Sequence, residues 1–387
     1  MLGRFWPRGR KSALAAAAIT GTAAALAACV VAAVPARADS AAPRPAAARV
    51  TVPRPVPWSS VGAGWVLAQY STGTAAKPAP TTLYLVNPFG AKYQVYQWAA
   101  AKTAAPHLLA WSGDGTRALL QVGNSYQLEQ LNLRTGKAAR FNLPVDVLPA
   151  DYTRPSGLQL LGMAADGSAT ALARYTLTGQ RAQVLGTRAY GLSALYTPDG
   201  TELAISADTG LQLVSNTGRV IRKLPVAAAD PTLGCSPARW WNSTTILAEC
   251  TPRGSYAEQL WLVPANGARP TALTPVRKSG PDLGDLDAWS LPSGLYLQSA
   301  GACGTLELNK QARNGSVVPV PVPGLPAGAS VAVVTALGPQ LLIHGLGCQL
   351  GGQLAWFNPA TKAVNWLFKA GAESVVPYYS TENGTFR

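Results

Sequence analysis

Histidine is almost missing from this chain. His107 and His344 are the only two in 387 residues. A Ser-His-Asp relay needs an imidazole beside an activated serine, and no Gly-x-Ser-x-Gly elbow or comparable nucleophile context occurs. Both histidines fall at strand ends and read as hydrogen-bonded structural residues. No Gly-x-x-x-x-Gly-Lys-Ser/Thr loop is present, and the Gly345–Gly352 run has no following helix to receive a phosphate. The five cysteines form no C-x-x-C pair, which argues against a structural zinc site. No cofactor is implied.

Charge is equally scarce, at 13% of residues, and unevenly placed. The first 38 residues hold no acid but five cations, Arg4, Arg8, Arg10, Lys11 and Arg37; without them the net charge of +14 falls to +9. Arg44, Arg49 and Arg54 follow in a Pro/Ala-rich stretch, and the other cations are scattered singly. Nucleic-acid binding needs clustered basic residues interleaved with aromatic platforms, so that class is excluded.

What the sequence has in quantity is turns. It holds 38 Gly and 31 Pro among 48% hydrophobic residues, a composition suited to many short strands. The clearest unit is Ala194–Ser206: an apolar run ending in Tyr196, a Pro198-Asp199-Gly200 turn, and an alternating return through Leu203 and Ile205. Related hairpins stand at Trp111–Leu120 and Met163–Leu172, and divergent ones at Trp240–Leu247 and Trp289–Leu297. In the turns Asp114, Asp166 and Asp199 cap local backbone, so they receive no catalytic role.

The return strands, placed at residues 64–68, 116–120, 168–172, 201–205, 244–248, 294–298 and 339–343, mark seven units. A second hairpin follows most of them, as at Leu83–Gly90, Leu131–Gly136, Leu211–Gly218, Leu260–Gly267 and Leu354–Pro359. Two hairpins per unit make four strands per unit at intervals of about 40–50 residues, the pattern of an all-β propeller. Residues 53–58 carry three prolines and would pair badly as a first inner strand, whereas Ser374–Ser380 is apolar. The expectation is a seven-bladed ring closed by the C-terminal strand, with a partial eighth blade as the alternative.

Ahead of the ring, residues 1–12 are basic and 13–36 form an uncharged, Ala-rich run ending at Ala36-Arg37-Ala38. This is an export-signal pattern with an A-x-A site. The run is also long enough to span a bilayer as an uncleaved anchor, and Leu26-Ala27-Ala28-Cys29 resembles a lipobox with Cys29 as the lipidated residue. All three readings place the body outside the cytoplasm, with 1–38 as signal or anchor, 39–57 as a Pro/Ala-rich tether and 58–387 as the propeller.

Tyr196-Thr-Pro-Asp-Gly-Thr-Glu-Leu-Ala and Trp111-Ser-Gly-Asp-Gly-Thr resemble the aromatic-Ser-Pro-Asp-Gly-x-x-Leu-Ala repeat of the TolB-like propellers, within the WD-repeat-like superfamily. The likeness covers about residues 58–380. The small N-terminal α/β domain of TolB itself has no counterpart in the sequence. The resemblance implies a monomeric, exported binding or scaffold module of the bacterial cell envelope, not an enzyme, whose partner is an envelope protein or a cell-wall glycan.

Four cysteines remain in the body, and an even set in an exported chain argues for disulfides. Cys235 and Cys250 stand symmetrically about Asn242-Ser243, as partners across one hairpin would. Cys303 and Cys348 each lie nine residues after the start of a return strand and are expected to join two successive blades. Asp282, Asp285 and Asp287 pack three carboxylates into six residues, a weak metal candidate or the acid set of a carbohydrate-active enzyme, though a solvated connecting loop fits them as well. Aromatics recur where inner strands end, at Trp111, Tyr196, Trp240 or Trp241, and Trp289. They pack blade against blade or line a mouth of the ring that binds a sugar or peptide.

Overall fold

A computed structural model describes residues 55–378, apart from 74–76, 101–105, 124–125, 145–146, 155–156, 167–168, 189–192, 198, 256, 278–283, 302–304, 327 and 347–351. Residues 1–54, the expected leader and most of the expected tether with Cys29 among them, and Asp282, Cys303 and Cys348 lie outside the described residues.

The described residues form 28 strands in seven four-stranded antiparallel sheets. The first blade contains β1 (Val66–Tyr70), β2 (Thr81–Val86) and β3 (Lys92–Trp98); the second β4 (His107–Trp111), β5 (Arg117–Gln121), β6 (Gln127–Asn132) and β7 (Ala138–Asn142). The third has β8 (Val147–Tyr152), β9 (Gln159–Asp166), β10 (Ala169–Thr176) and β11 (Arg181–Arg188), and the fourth β12 (Ala194–Tyr196), β13 (Glu202–Ala207), β14 (Gly210–Ser215) and β15 (Val220–Pro225). Blade five is β16 (Cys235–Asn242), β17 (Thr245–Cys250), β18 (Gln259–Pro264) and β19 (Thr271–Ala272); blade six is β20 (Asp285–Leu291), β21 (Gly294–Ala300), β22 (Leu306–Gln311) and β23 (Val317–Pro319). β24 (Ser330–Leu337), β25 (Gln340–Leu346), β26 (Gln353–Asn358) and β27 (Ala363–Phe368) make the seventh, and β28 (Ala372–Pro377) returns to blade one.

The hairpin turns work as the residue types require. In blade four the Asp199 carboxylate accepts hydrogen bonds from Thr197 Oγ1 (2.6 Å), Thr201 N (3.1 Å) and Thr201 Oγ1 (2.9 Å). These bonds hold its carboxyl below the usual range, and Gly200 takes the positive φ of 73° that a side chain would resist. Asp114 repeats the arrangement with Ser112 and Thr116 in blade two.

Burial follows position in the blade. Both faces of the middle strands are covered, so Leu203, Ala204 and Ile205 run as consecutive buried residues, while outer β15 is exposed except at Leu224. The core is therefore a series of apolar layers between blades. Trp65, Leu67, Leu85, Leu108, Trp111 and Leu120 fill the seam between the first two.

Closure is by β28, which pairs with β1 from Leu67↔Val376 to Gln69↔Ser374, as the proline argument anticipates. Gln69 extends the joint to the next blade: its Oε1 accepts from Leu108 N (2.7 Å) and its Nε2 donates to Glu373 (3.1 Å). Gln298 does the same between blades six and seven, accepting from Val333 N (2.7 Å) and donating to Val331 O (2.8 Å).

Two sequence expectations need correction. In blade three the strand order is β8-β9-β10-β11, so residues 168–172 belong to the third strand and not the second. Asp166 ends β9 opposite Ala169 of β10, one hairpin later than the turn aspartates of blades two and four, because Thr153 and Gln159 close the first hairpin without it. The second correction concerns Cys235–Cys250, which is a disulfide with Cα atoms 4.1 Å apart. The hairpin turns at Ser243-Thr244, with Asn242 opposite Thr245, one residue later than symmetry suggests. Register shifts at Ala238 and Trp241 bring the cysteines back into opposition. Closing a 15-residue loop in this way is worth about 3 kcal/mol in the chain-entropy account.

Ending the chain after Gly371 removes β28 and leaves β1 as an unpaired edge beside an uncovered apolar layer. The truncated protein is expected to lose its single cooperative unfolding transition in denaturant and to bind a hydrophobic dye. A cooperative transition with the full-length midpoint would contradict closure by β28.

Candidate functional site

The described residues of the acidic cluster are separated by β20 into two different environments. Asp285 is fully buried and accepts from Arg277 Nη2 (2.6 Å) and Ser299 Oγ (2.8 Å), and Asn309 in turn donates to Ser299 Oγ (3.0 Å). Burial pushes its carboxyl up, against the pull of Arg277 and Ser299. Asp287 accepts from Arg239 Nε (2.9 Å) and from the backbone N–H of Ala288 (2.8 Å). Each carboxylate is thus matched to its own arginine inside the ring wall, not set in a solvated loop. No group of three metal-ligating side chains occurs among the described residues. His107 opens β4, and His344 Nε2 lies 2.9 Å from the Ala372 carbonyl of β28; burial lowers the pKa of both rings.

The aromatic series has a common register. Trp111 pairs with Ala118, Tyr152 with Leu160, Tyr196 with Leu203, Trp240 with Ile246 and Trp289 with Tyr296, each near the end of its inner strand. Tyr378 continues β28 at the same level and meets Trp111 edge-on at 5.0 Å. In blade seven the equivalent residue is Thr335, opposite Leu342 and two residues before the turn pair Leu337↔Gln340. Six blades carry an aromatic ring there and one does not.

Trp111, Tyr196, Trp240 and Trp289 are 1%, 1%, 2% and 3% exposed, so their ring faces are spent on blade-to-blade packing. A stacking platform for a ligand therefore has to come from elsewhere. Trp240 also places its Nε1–H, donating to the Tyr196 carbonyl (2.6 Å). Trp111 and Trp289 differ: the Nε1 of each is buried without a hydrogen-bond partner.

Trp289 also borders a cavity. On the face carrying the first-hairpin turns, Arg239, Trp241, Trp289, Ser290, Leu291, Ala336 and Gly338 line a cup of about 240 Å³. Three blades contribute, the seventh through Ala336 and the adjoining turn through Gly338. Trp241 is half-buried, packed on one side against the core around Ala238 and Leu247. The Arg239 guanidinium lies over both indoles, 5.5 Å from the Trp241 ring and 5.1 Å from that of Trp289, with Asp287 fixing its Nε from behind. A larger, shallower crevice of about 480 Å³ lies between blades four and five, where Arg222 donates to the Ala265 carbonyl (2.7 Å).

Sequence reading missed Arg239 and left Trp240 and Trp241 as alternatives. The usable signal is the adjacent pair: neighbours on a strand face opposite sides, so Trp240 and Trp241 cannot both sit in one apolar layer. Glu258 was also missed, and no motif announces it. It accepts from Thr251 Oγ1 at 2.9 Å through both carboxylate oxygens, next to Cys250, and burial pushes its carboxyl up to about 7.

No protein-family model matches the chain, and no curated protein is similar to it in sequence. Solved structures do match in shape. A Mycobacterium tuberculosis puromycin-hydrolysing peptidase is 17% identical with a TM-score of 0.52, over 80% of this chain and 52% of its own. A prolyl endopeptidase is 14% identical with a TM-score of 0.53, over 83% and 50%. TolB from Acinetobacter baumannii is 15% identical with a TM-score of 0.44, over 81% and 66%. The chain spans about half the length of the two peptidases, and at these identities the likeness shows the propeller fold alone.

Glu258 gives the propeller a stability signature. Its folded carboxyl binds protons up to about pH 7, whereas an unfolded glutamate releases them near pH 4.3. The native state holds the extra proton between those values, so Glu258 makes stability fall as pH rises through that window and level off above it. Glu258→Gln is expected to remove this slope and to gain about 1–3 kcal/mol at pH 8, with little change at pH 4. Denaturant unfolding across pH 4–8 measures it, and an unchanged slope would contradict burial of the carboxyl.

Proposed function

We propose that this chain is an exported β-propeller that binds a partner in the bacterial envelope and does not catalyse a reaction on it, with the Trp241–Arg239–Trp289 cup as the contact point. The observation that carries the reading is the cup itself: a half-buried indole, an arginine locked between two rings, and a buried N–H without a partner, all on rigid strands. The Cys235–Cys250 disulfide suits an oxidising compartment. It agrees with the basic-apolar leader, by which the propeller would be released or held at the membrane through the Pro/Ala tether. No helix among the described residues is long and apolar enough to cross a membrane.

A carbohydrate-active enzyme using Asp282, Asp285 or Asp287 has weaker support. A general acid and its partner carboxylate must reach solvent and substrate, and both Asp285 and Asp287 are buried in ion pairs.

Cross-linking capture from envelope extracts, with the tagged full chain as bait, tests the proposal. One saturable protein or glycan partner is expected, retained by wild type and lost in Trp241→Leu. Capture that is equal for the two baits would remove the cup from the interface. Hydrolysis of cell-wall glycan that disappears in Asp285→Asn or Asp287→Asn protein that is still folded would replace the binding reading with the enzymatic one.

A further inference from the structure

Charge is divided unequally between the two faces of the ring. Each blade turns from its third strand to its fourth on the face that also holds the cup, and all seven of these turns carry an exposed cation, in the turn or at the first residue after it: Lys92, Arg134, Arg181, Arg219, Arg269, Arg313 and Lys362. None of these turns contains an acid. No ion pair among the described residues involves any of the seven cations, although Lys92 lies over the Phe368 ring at 4.4 Å and Arg134 over that of Trp58 at 5.3 Å. The acids of this face lie nearer the axis, in the first hairpins, where Asp114 is paired with Arg117 and where Asp199 and Glu202 belong to blade four. On the opposite face the described connections are mixed, with Asp208, Asp230 and Glu258 among Lys77, Arg253, Arg277 and Lys369.

Apolar groups break the surface of the cationic face. Phe89, at the tip of the β2–β3 turn, is 88% exposed, and its turn is held in shape by Asn87 Oδ1, which accepts from Phe89 N (3.0 Å) and Ala91 N (2.8 Å). Pro88 and Leu337 meet beside it: a Cβ on Gly64 would come within 2.8 Å of each. Leu158 ends the first-hairpin turn of blade three on the same face, and it too is exposed. The N-terminal chain arrives here as well. β1 begins at Val66, opposite Val86 at the foot of the Phe89 turn, and Trp58 ahead of it lies under Arg134. The segment that precedes it in sequence adds Arg44, Arg49 and Arg54.

We propose that this face docks on an anionic phospholipid bilayer, with the rim cations over the headgroups and Phe89 at the acyl boundary. Seven cations on seven blades cannot converge on one small anion, but they match an extended plane of negative charge. The potential of such a surface falls off within a Debye length, about 8 Å at physiological salt, so the cations that count are those at turn tips, where these are. A polynucleotide would match the charge, yet it stacks on aromatic platforms set between cations, and the two rings beside the rim cations, Phe368 and Trp58, are already covered by them. A bilayer uses both features of the face, because its headgroups take the charge and its interface takes an exposed aromatic side chain. The inference rests on the proposed place of the chain in the envelope and not on the cup. It adds the surface that the propeller faces.

The test is an orientation measurement on the full chain in bicelles containing a lipid with a paramagnetic headgroup, read through the broadening of backbone amides in nitrogen-15 spectra. An apolar leader can hold the chain on any bilayer, so the readout is the ratio between the two faces and not binding itself. With about one-third phosphatidylglycerol, amides at 87–91 and 359–362 are expected to broaden at least about threefold more than those at 208–209 and 230–234. In phosphatidylcholine alone the ratio should fall toward about one. Reversing four exposed rim charges together, by Arg219→Glu, Arg269→Glu, Arg313→Glu and Lys362→Glu, should do the same in the anionic bicelles. Phe89→Ser should lower the ratio by about half, and Trp241→Leu should leave it unchanged. An equal response of both faces to anionic bicelles, a larger response of the opposite face, or a wild-type ratio in the folded charge-reversed variant would each overturn the docking. If a DNA duplex shifts the rim turns while anionic bicelles leave the ratio near one, the rim reads a polyanion and the membrane assignment falls. Envelope capture that is lost in Trp241→Leu, with no face preference in bicelles, keeps the cup and discards the docking; a face preference with equal capture by the two baits keeps the docking and removes the cup.

Discussion

A four-stranded sheet with two apolar faces cannot bury either of them alone, and every other feature of this protein follows from that constraint. Each blade is covered only by its neighbours, so the first and last must also meet. The chain meets the requirement by placing its last strand inside its first blade, where β28 pairs with β1. Gln69 then turns a two-strand joint into a three-strand one. Its amide has one donor side and one acceptor side, like a peptide group, and ties β1 to β28 and to β4 of the next blade. Gln298 repeats the device between blades six and seven. Backbone groups of inner strands β4 and β24 that have no neighbouring strand on that side are satisfied without adding one.

Once the ring is closed, most positions are committed to packing, and freedom survives only where a repeat is broken. The inner-strand aromatics show this. Six of them fill the seams, and Trp240 even places its N–H on the neighbouring blade. The seventh position is Thr335, and Ala336 beside it and Trp241, at a register shift of β16, line the cup. The bulge that realigns the cysteines at one end of β16 has its counterpart at the other, where it exposes a ring.

This explains how much could be read from the sequence. The ring, the strand count per blade and the closing strand were legible because Asp-Gly turns and alternating returns are local signals that survive divergence. The third blade was displaced by one hairpin because the Asp-Gly dipeptide at 166–167 is as good a turn signal in sequence as Asp199-Gly200, and nothing local says to which of two hairpins it belongs. The pairing of Cys235 with Cys250 was legible, but the turn between them was not: two bulges of one residue each cannot be located by counting. The cup was the least legible part. Arg239, Trp241, Trp289 and Ala336 come from three blades, and the arginine partners that bury Asp285 and Asp287 stand 8 and 48 residues away from them in the chain.

Polar links concentrate where the cup is built. The seam between blades five and six carries the buried Arg239–Asp287 pair, and the chain entering blade six is fixed by Arg277–Asp285 and the Ser299–Asn309 bonds behind it. Such pairs add little net stability, since desolvation offsets most of their attraction, but they accept only one geometry. A seam of apolar contacts alone tolerates small slips. A guanidinium bound to Asp287 and lying over two indole faces does not, because a shift that improves one contact breaks another. The seam least suited to raising stability is therefore the one best suited to holding Trp241 and Trp289 at a fixed separation, and preorganisation of that kind lowers the ordering cost of binding.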